Sequence, residues 1–221
     1  HAVIAESGEV SPTATADFIA SIGEIARQIG QERNLYASVM IAQAVLESNS
    51  GQSALSQQPY YNFFGIKGAY NGNSVTMQTW EDDGSGYTYE VDQDFRSYNS
   101  LSDSLNDYAN LLSWDLYADT WKSNTTSYQD ATAALTGRYA TDTAYADKLN
   151  ALIEQYGLTT YDDPVVVEEE NQTNSEQTTD PNHVWNKYRG SYTSKDILAE
   201  DEAWIAYILS LIHISEPTRR V

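Results

Sequence analysis

The chain has 221 residues, 41% of them hydrophobic, enough to bury one ordinary domain with material to spare, or two small domains. Acidic residues outnumber basic ones by 32 to 12, a formal net charge of −20, so phosphate backbones repel the chain and nucleic acid is not an expected partner. Cysteine is absent, which removes disulfides and thiol chemistry, and the three histidines (His1, His183 and His213) leave residues 2–182 without a His-containing triad or zinc site.

Carboxylates and tyrosines are the chemistry that remains. No apolar run is long enough to span a bilayer; the longest, at 203–212, falls well short. No signal peptide precedes the first apolar pattern, so any export signal is expected to lie before His1.

Residues 1–15, with Ser11, Pro12 and alternating Thr and Ala, read as a flexible leader. From Asp17 an apolar stripe of Phe18, Ile19, Ile22, Ile25, Ala26 and Ile29 predicts a helix that Gly30 stops. A second helix is expected over 35–47, apolar at Val39, Ala42, Val45 and Leu46 and closed by Glu47; a short helical piece covers 53–57. Gly- and Asn-rich turns occupy 62–73. The alternating, β-branched segments 74–80 and 87–91, separated by Asp82, Asp83, Gly84, Ser85 and Gly86, predict a β-hairpin with a loose loop. Helices resume at 101–112, 128–136 and 143–156, the last closed by Gly157.

Beyond Leu158 the composition shifts. Residues 159–182 carry an acidic run and an Asn/Gln/Thr/Ser-rich stretch that cannot bury much apolar surface, and are expected to be a disordered linker. Residues 183–221 regain aromatics (Trp185, Tyr188, Tyr192, Trp204) but are too short to assign a fold. The stretch 210–221 reads as translated cloning or sequencing-adapter sequence and is set aside.

Four blocks carry a family likeness: Ser38 to Ser48 (SVMIAQAVLES), Asn62 to Gly68 (NFFGIKG), Thr79-Trp80-Glu81, and Arg138 to Asp142 (RYATD) with Tyr145, Ala146, Lys148 and Leu149 close behind. On these, residues 16–158 resemble the glucosaminidase domain of bacterial autolysins, family 73 of the glycoside hydrolases. The family often has Gly-Trp-Gly after its catalytic glutamate; here Ser48-Asn49-Ser50-Gly51 stands instead. The resemblance implies an α+β, mostly α, lysozyme-like domain whose small β-hairpin flanks a glycan groove. It implies a peptidoglycan hydrolase, an endo-β-N-acetylglucosaminidase, that is secreted to the cell wall. Glycan strands are its partner, no metal or cofactor is needed, and it is read as a monomer. Charge of the same sign as the anionic wall polymers favours a mobile enzyme over one held by charge. Muramidase or lytic transglycosylase action on the same glycan, and a non-catalytic wall-binding module, are the rival readings.

Glu47 at a helix C-terminus is either an ordinary solvated glutamate or a proton donor. The helix dipole opposes its charge by roughly 0.3–1 kcal/mol, and apolar neighbours act in the same direction, keeping it protonated. The resemblance assigns it the role of general acid. Glu81 at the end of the first hairpin strand is either a surface charge or the second carboxylate, with Asp82 and Asp83 as lesser candidates. Inverting pairs stand about 6.5–9.5 Å apart and retaining pairs about 5–5.5 Å. A third route lets the substrate's acetamido oxygen attack, with Tyr139 or Asp142 steadying the developing charge; Tyr139 otherwise reads as a packed core residue. Asn62, Phe64 and Trp80 are expected substrate contacts, with packing or turn duty as the alternative, and Asp142 and Tyr145 join them through the resemblance.

Overall fold

The computed structural model describes residues 9–82, 85–165 and 182–214, which divide into two compact units, one ending at Val166 and one beginning at Val167. In the first, α1 (Pro12–Arg33) starts earlier than the apolar stripe predicts. Ser11 is its N-cap, accepting the Ala14 N–H at 3.1 Å, and Pro12 fills the first helical position, where a missing N–H costs nothing. Ser11 and Pro12 are therefore a start signal rather than part of a leader. The stripe itself is correct: Ile19, Ile22, Ala26 and Ile29 are buried.

Helix α2 (Ala37–Ser48) runs through the middle of the core, and every residue from Ala37 to Val45 is buried. It ends abruptly because Asn49, Ser50 and Gly51 all take left-handed backbone conformations. Gly51 is required twice over: its φ is 74°, and a Cβ there would lie 2.6 Å from Phe18 Cδ2. A 3-10 turn at Ala54–Ser56 follows.

Strands β1 (Ser74–Asp82) and β2 (Thr88–Arg96) pair antiparallel, with Trp80 opposite Glu90 and Glu81 opposite Tyr89. β1 begins where expected and runs two residues further, while β2 starts one residue later than expected and runs on to Arg96 because the base of the ribbon is fastened to the body. The Gly68 N–H reaches the Asp94 carbonyl and the Arg96 N–H reaches the Ile66 carbonyl, both at 2.9 Å. Arg96 also donates to the buried Asp107 carboxylate at 2.8 Å, which accepts the Tyr98 hydroxyl at 2.6 Å as well.

Helices α3 (Leu101–Leu112), α4 (Tyr128–Leu135) and α5 (Tyr145–Gln155) complete the helical shell around α2, with 3-10 turns at Asp115–Thr120 and Lys122–Asn124. The unit does not stop at Leu158. A 3-10 turn at Leu158–Asp162 folds back onto α1 and α2, where Arg27 donates to the carbonyls of Thr160 and Asp163 at 2.7 Å each and Tyr161 lies over Gly23. Residues 159–163, expected in the linker, thus belong to the folded body; the rest of the expected linker up to 181 lies outside the described residues from 166 onward.

The second unit is a hairpin, β3 (His183–Asn186) with β4 (Ser191–Ser194), followed by α6 (Lys195–Ile214). The buried Asn186 side chain and Arg189 both donate to Asp201, which ties the hairpin to the helix. The stretch set aside from 210 continues α6 as far as Ile214, and its remainder lies outside the described residues.

Candidate active site

Glu47 sits in the last turn of α2, partly exposed, two residues before the left-handed stop at Asn49 that ends the helix. Its Oε1 accepts the Tyr145 hydroxyl at 2.7 Å, a bond across 98 positions of sequence that joins α2 to the start of α5. Behind that bond, Gln43 Nε2 donates to Tyr145 Oη at 3.0 Å, and the Tyr108 hydroxyl of α3 donates to Gln43 Oε1. Gln43, Tyr108 and Tyr145 are all buried. Burial pushes the Glu47 carboxyl up to about 7, against the Tyr145 hydrogen bond, which favours the ionised form. The hydroxyls of Tyr108, Tyr139 and Tyr145 are themselves pushed up by burial and stay protonated.

Glu81 has the opposite environment. Lys67 Nζ lies 3.0 Å from its Oε1, and this hydrogen bond and charge hold the Glu81 carboxyl below its ordinary range. Lys67 is brought there by the fastened base of the ribbon, where it bridges to Phe95. One carboxyl is kept protonated and the other ionised, the division of labour that acid–base hydrolysis of a glycoside requires.

A cavity of about 260 Å³ is lined by Gly65, Ile66, Lys67, Leu111, Tyr117 and Tyr139, and so touches the partner of Glu81 in Lys67. Tyr139 forms part of its wall and donates its hydroxyl to the Phe64 carbonyl at 2.8 Å. Its ring lies nearly parallel to that of Tyr145, 11° apart with centroids separated by 6.2 Å, so it buttresses the residue that holds Glu47.

Other residues expected to meet substrate have different employment. Asn62 is 1% exposed, and its two amide protons go to the carbonyls of Ile66 and Arg96 at 3.0 and 2.8 Å while its oxygen accepts the Ile66 N–H. It locks the turn to the hairpin base, leaving neither amide proton for an acetamido group. Phe64 is 0% exposed and stacks on Tyr108 at 4.2 Å, so its ring offers no face to a sugar. Asp142 is paired with Lys148 and accepts the Ala144 N–H at 2.9 Å, shaping the turn that launches α5 and Tyr145.

Trp80 and Glu81 are neighbours in sequence and so point to opposite faces of the ribbon. Thr79, beside Glu81 on the inner face, is buried, while Trp80 is 47% exposed on the outer one. Tyr89, directly across from Glu81 and 41% exposed, is an exposed aromatic ring on the carboxylate's own face. Lys67, Gln43, Tyr89, Tyr108 and Tyr117 were not foreseen. For Gln43 a signal existed: it is a polar residue in an otherwise apolar helix, one turn before Glu47 and on the same face.

Comparison with known proteins identifies the family and the fold. The family model described as mannosyl-glycoprotein endo-beta-N-acetylglucosaminidase matches residues 23–158. The autolysin of Enterococcus faecalis is 50% identical over 163 residues, 70% of this chain and 22% of that protein. A probable N-acetylmuramidase of Lactococcus lactis subsp. cremoris is 49% identical over 151 residues, 66% of this chain and 34% of that protein. The chain therefore spans about a third or less of these relatives' length. The catalytic domain of the autolysin Auto from Listeria monocytogenes superposes with a TM-score of 0.64 at 51% identity, covering 71% of this chain and 92% of that domain.

Proposed function

Given that the chain belongs to the glucosaminidase family of glycoside hydrolases, with a lysozyme-like fold, we propose that it is an endo-β-N-acetylglucosaminidase that hydrolyses the β-1,4 bond after N-acetylglucosamine in peptidoglycan. The observation that carries this reading is Glu47: a carboxyl at the end of a buried helix, pushed up to about 7 and held by Tyr145, whose ring stacks on the Tyr139 that lines a cavity. In that state it protonates the departing glycosidic oxygen as the C1–O bond breaks.

Glu81, kept ionised by Lys67, takes a proton from water as that water attacks the anomeric carbon. Tyr139 serves as a positioning residue through its stacking on Tyr145. The stereochemistry of the released sugar separates this route from attack by the acetamido oxygen. Inversion gives an α-anomer, and the substrate-assisted route gives a β-anomer, as read by proton NMR in the first minutes of reaction. The enzyme acts outside the cell on glycan strands of the wall, as a monomer.

The test of the acid is Glu47→Gln, assayed by clearing of purified walls. A loss of at least ~10²-fold is expected, and wall lysis at the wild-type rate would falsify the assignment. The lactococcal relative's name favours a second reading, cleavage of the alternate bond. Reduction and analysis of the new ends decides between them: N-acetylglucosamine ends support the proposal, and muramic acid ends support the rival.

A further inference from the structure

The hydrogen bonds behind Glu47 have a direction. Tyr108 is enclosed and gives its proton to Gln43 Oε1, which turns the amide so that Nε2 faces Tyr145. Tyr145 Oη accepts that N–H, and its own proton is left for Glu47 Oε1. With Oε1 committed as an acceptor, the labile proton of the neutral carboxyl rides on Oε2.

We propose that Gln43 is a positioning residue that fixes the polarity of this chain, so that the proton Glu47 delivers sits on Oε2 instead of being drawn into the protein by Tyr145. The proposal rests on Glu47 being the general acid. Gln43 is 0% exposed and touches no substrate; it works by occupying the tyrosine oxygen. Remove that N–H and Tyr145 can accept a proton from Glu47, which turns the acid inward and wastes it. A hydrocarbon side chain of similar size at position 43 could not prevent this.

Among the described residues, Tyr145 of α5, Tyr108 of α3 and Tyr139 of the turn before α5 are titratable groups that act on or are acted on by Glu47, and the positive charge of the amino terminus also favours its ionised form. Burial keeps all three hydroxyls protonated, so the chain serves as a fixed set of dipoles and does not itself titrate near neutral pH.

The experiment measures kcat and KM on soluble glycan fragments of the wall across pH, for the wild type, Gln43→Met, Tyr108→Phe and Glu47→Gln. Gln43→Met is expected to lower kcat by roughly 10–10²-fold with KM unchanged, since a misdirected proton is a positional fault. The alkaline limb of its kcat profile should move to higher pH, because the ionised carboxylate loses its donor. Tyr108→Phe keeps the ring stacked on Phe64 and frees the amide to turn, so both effects should recur at smaller size. It decides the matter alone if Gln43→Met does not fold. A kcat loss that tracks thermal stability with the alkaline limb unmoved overturns the proposal, as does wild-type behaviour in both variants. If Glu47→Gln is inactive while these two behave as wild type, only the positioning role falls; if Glu47→Gln retains activity, the acid assignment falls first.

Discussion

The Asp162 carboxylate accepts the backbone N–H of Ser38 at 2.9 Å, so the last turn of the first unit caps the first turn of the helix that ends at Glu47. Tyr36, the local N-cap residue, supplies no side-chain capping bond, and the cap comes from 124 positions away instead. Gln31 and Lys122 hold the Asp162 carbonyl at 2.8 and 3.0 Å and keep the carboxylate in place. Asp162→Ala should therefore cost about 1 kcal/mol, the usual worth of a helix cap, with Asp162→Asn costing less. Thermal melting checks this. A chain ended after Leu158 should melt below one ended after Val165, and equal melting points would show the contact to be idle.

Glu47 links activity and stability to pH with the same sign. Its folded pKa, about 7, lies above the ordinary carboxyl value of 4.5, so between these limits the folded chain binds the extra proton. Stability is accordingly full below about 4.5 and falls as pH rises toward 7. Glu47→Gln removes that penalty. The variant should match the wild type in denaturant unfolding near pH 4 and exceed it near pH 8 by on the order of 2–3 kcal/mol. Wall lysis by the wild type should decline as pH passes about 7, where the acid loses its proton.

Lys67→Met addresses the other carboxyl. Without the ammonium group the Glu81 pKa returns upward toward the ordinary range, and a base that must be ionised is lost sooner on acidification. The acidic limb of the rate profile should shift to higher pH while the alkaline limb stays in place. The shift will be modest because both side chains are substantially exposed. Movement of the alkaline limb instead would assign the roles the other way round.

Trp80 and Tyr89 can be told apart by the face they occupy. Tyr89→Ala, on the face of Glu81, should raise KM on soluble glycan fragments severalfold, the loss of one ring against a sugar. Trp80→Ala should leave KM nearly unchanged. The reverse result would mean that the substrate lies across the outer face of the ribbon.

Much of this was legible in the sequence. The apolar run from Ser38 to Leu46 with a carboxylate at its close announces α2 and the place of Glu47 in its last turn, because a period of 3.6 and a stop signal are local. Ser11-Pro12 is an equally local signal, but its capping role shows only beside the helix it starts. The assignment of Trp80 and Glu81 to one groove conflicted with the period of a strand, which puts neighbours on opposite faces. What no local pattern carries is the meeting of Gln43, Tyr108 and Tyr145 or the return of Asp162 to Ser38. These are long-range contacts set by how helices pack, and the polar Gln43 within an apolar helix was the one hint of them.

The two carboxyls also differ in how far the surrounding medium can reach them. Lys67 and Glu81 meet at the surface, where dissolved ions within a Debye length of about 8 Å at physiological strength dilute their attraction. The chain behind Glu47 is enclosed in protein, beyond the reach of that ionic atmosphere. Brine and fresh water would thus retune the acidic limb of the reaction more than the alkaline one, so that the working pH window widens or narrows mainly from a single side.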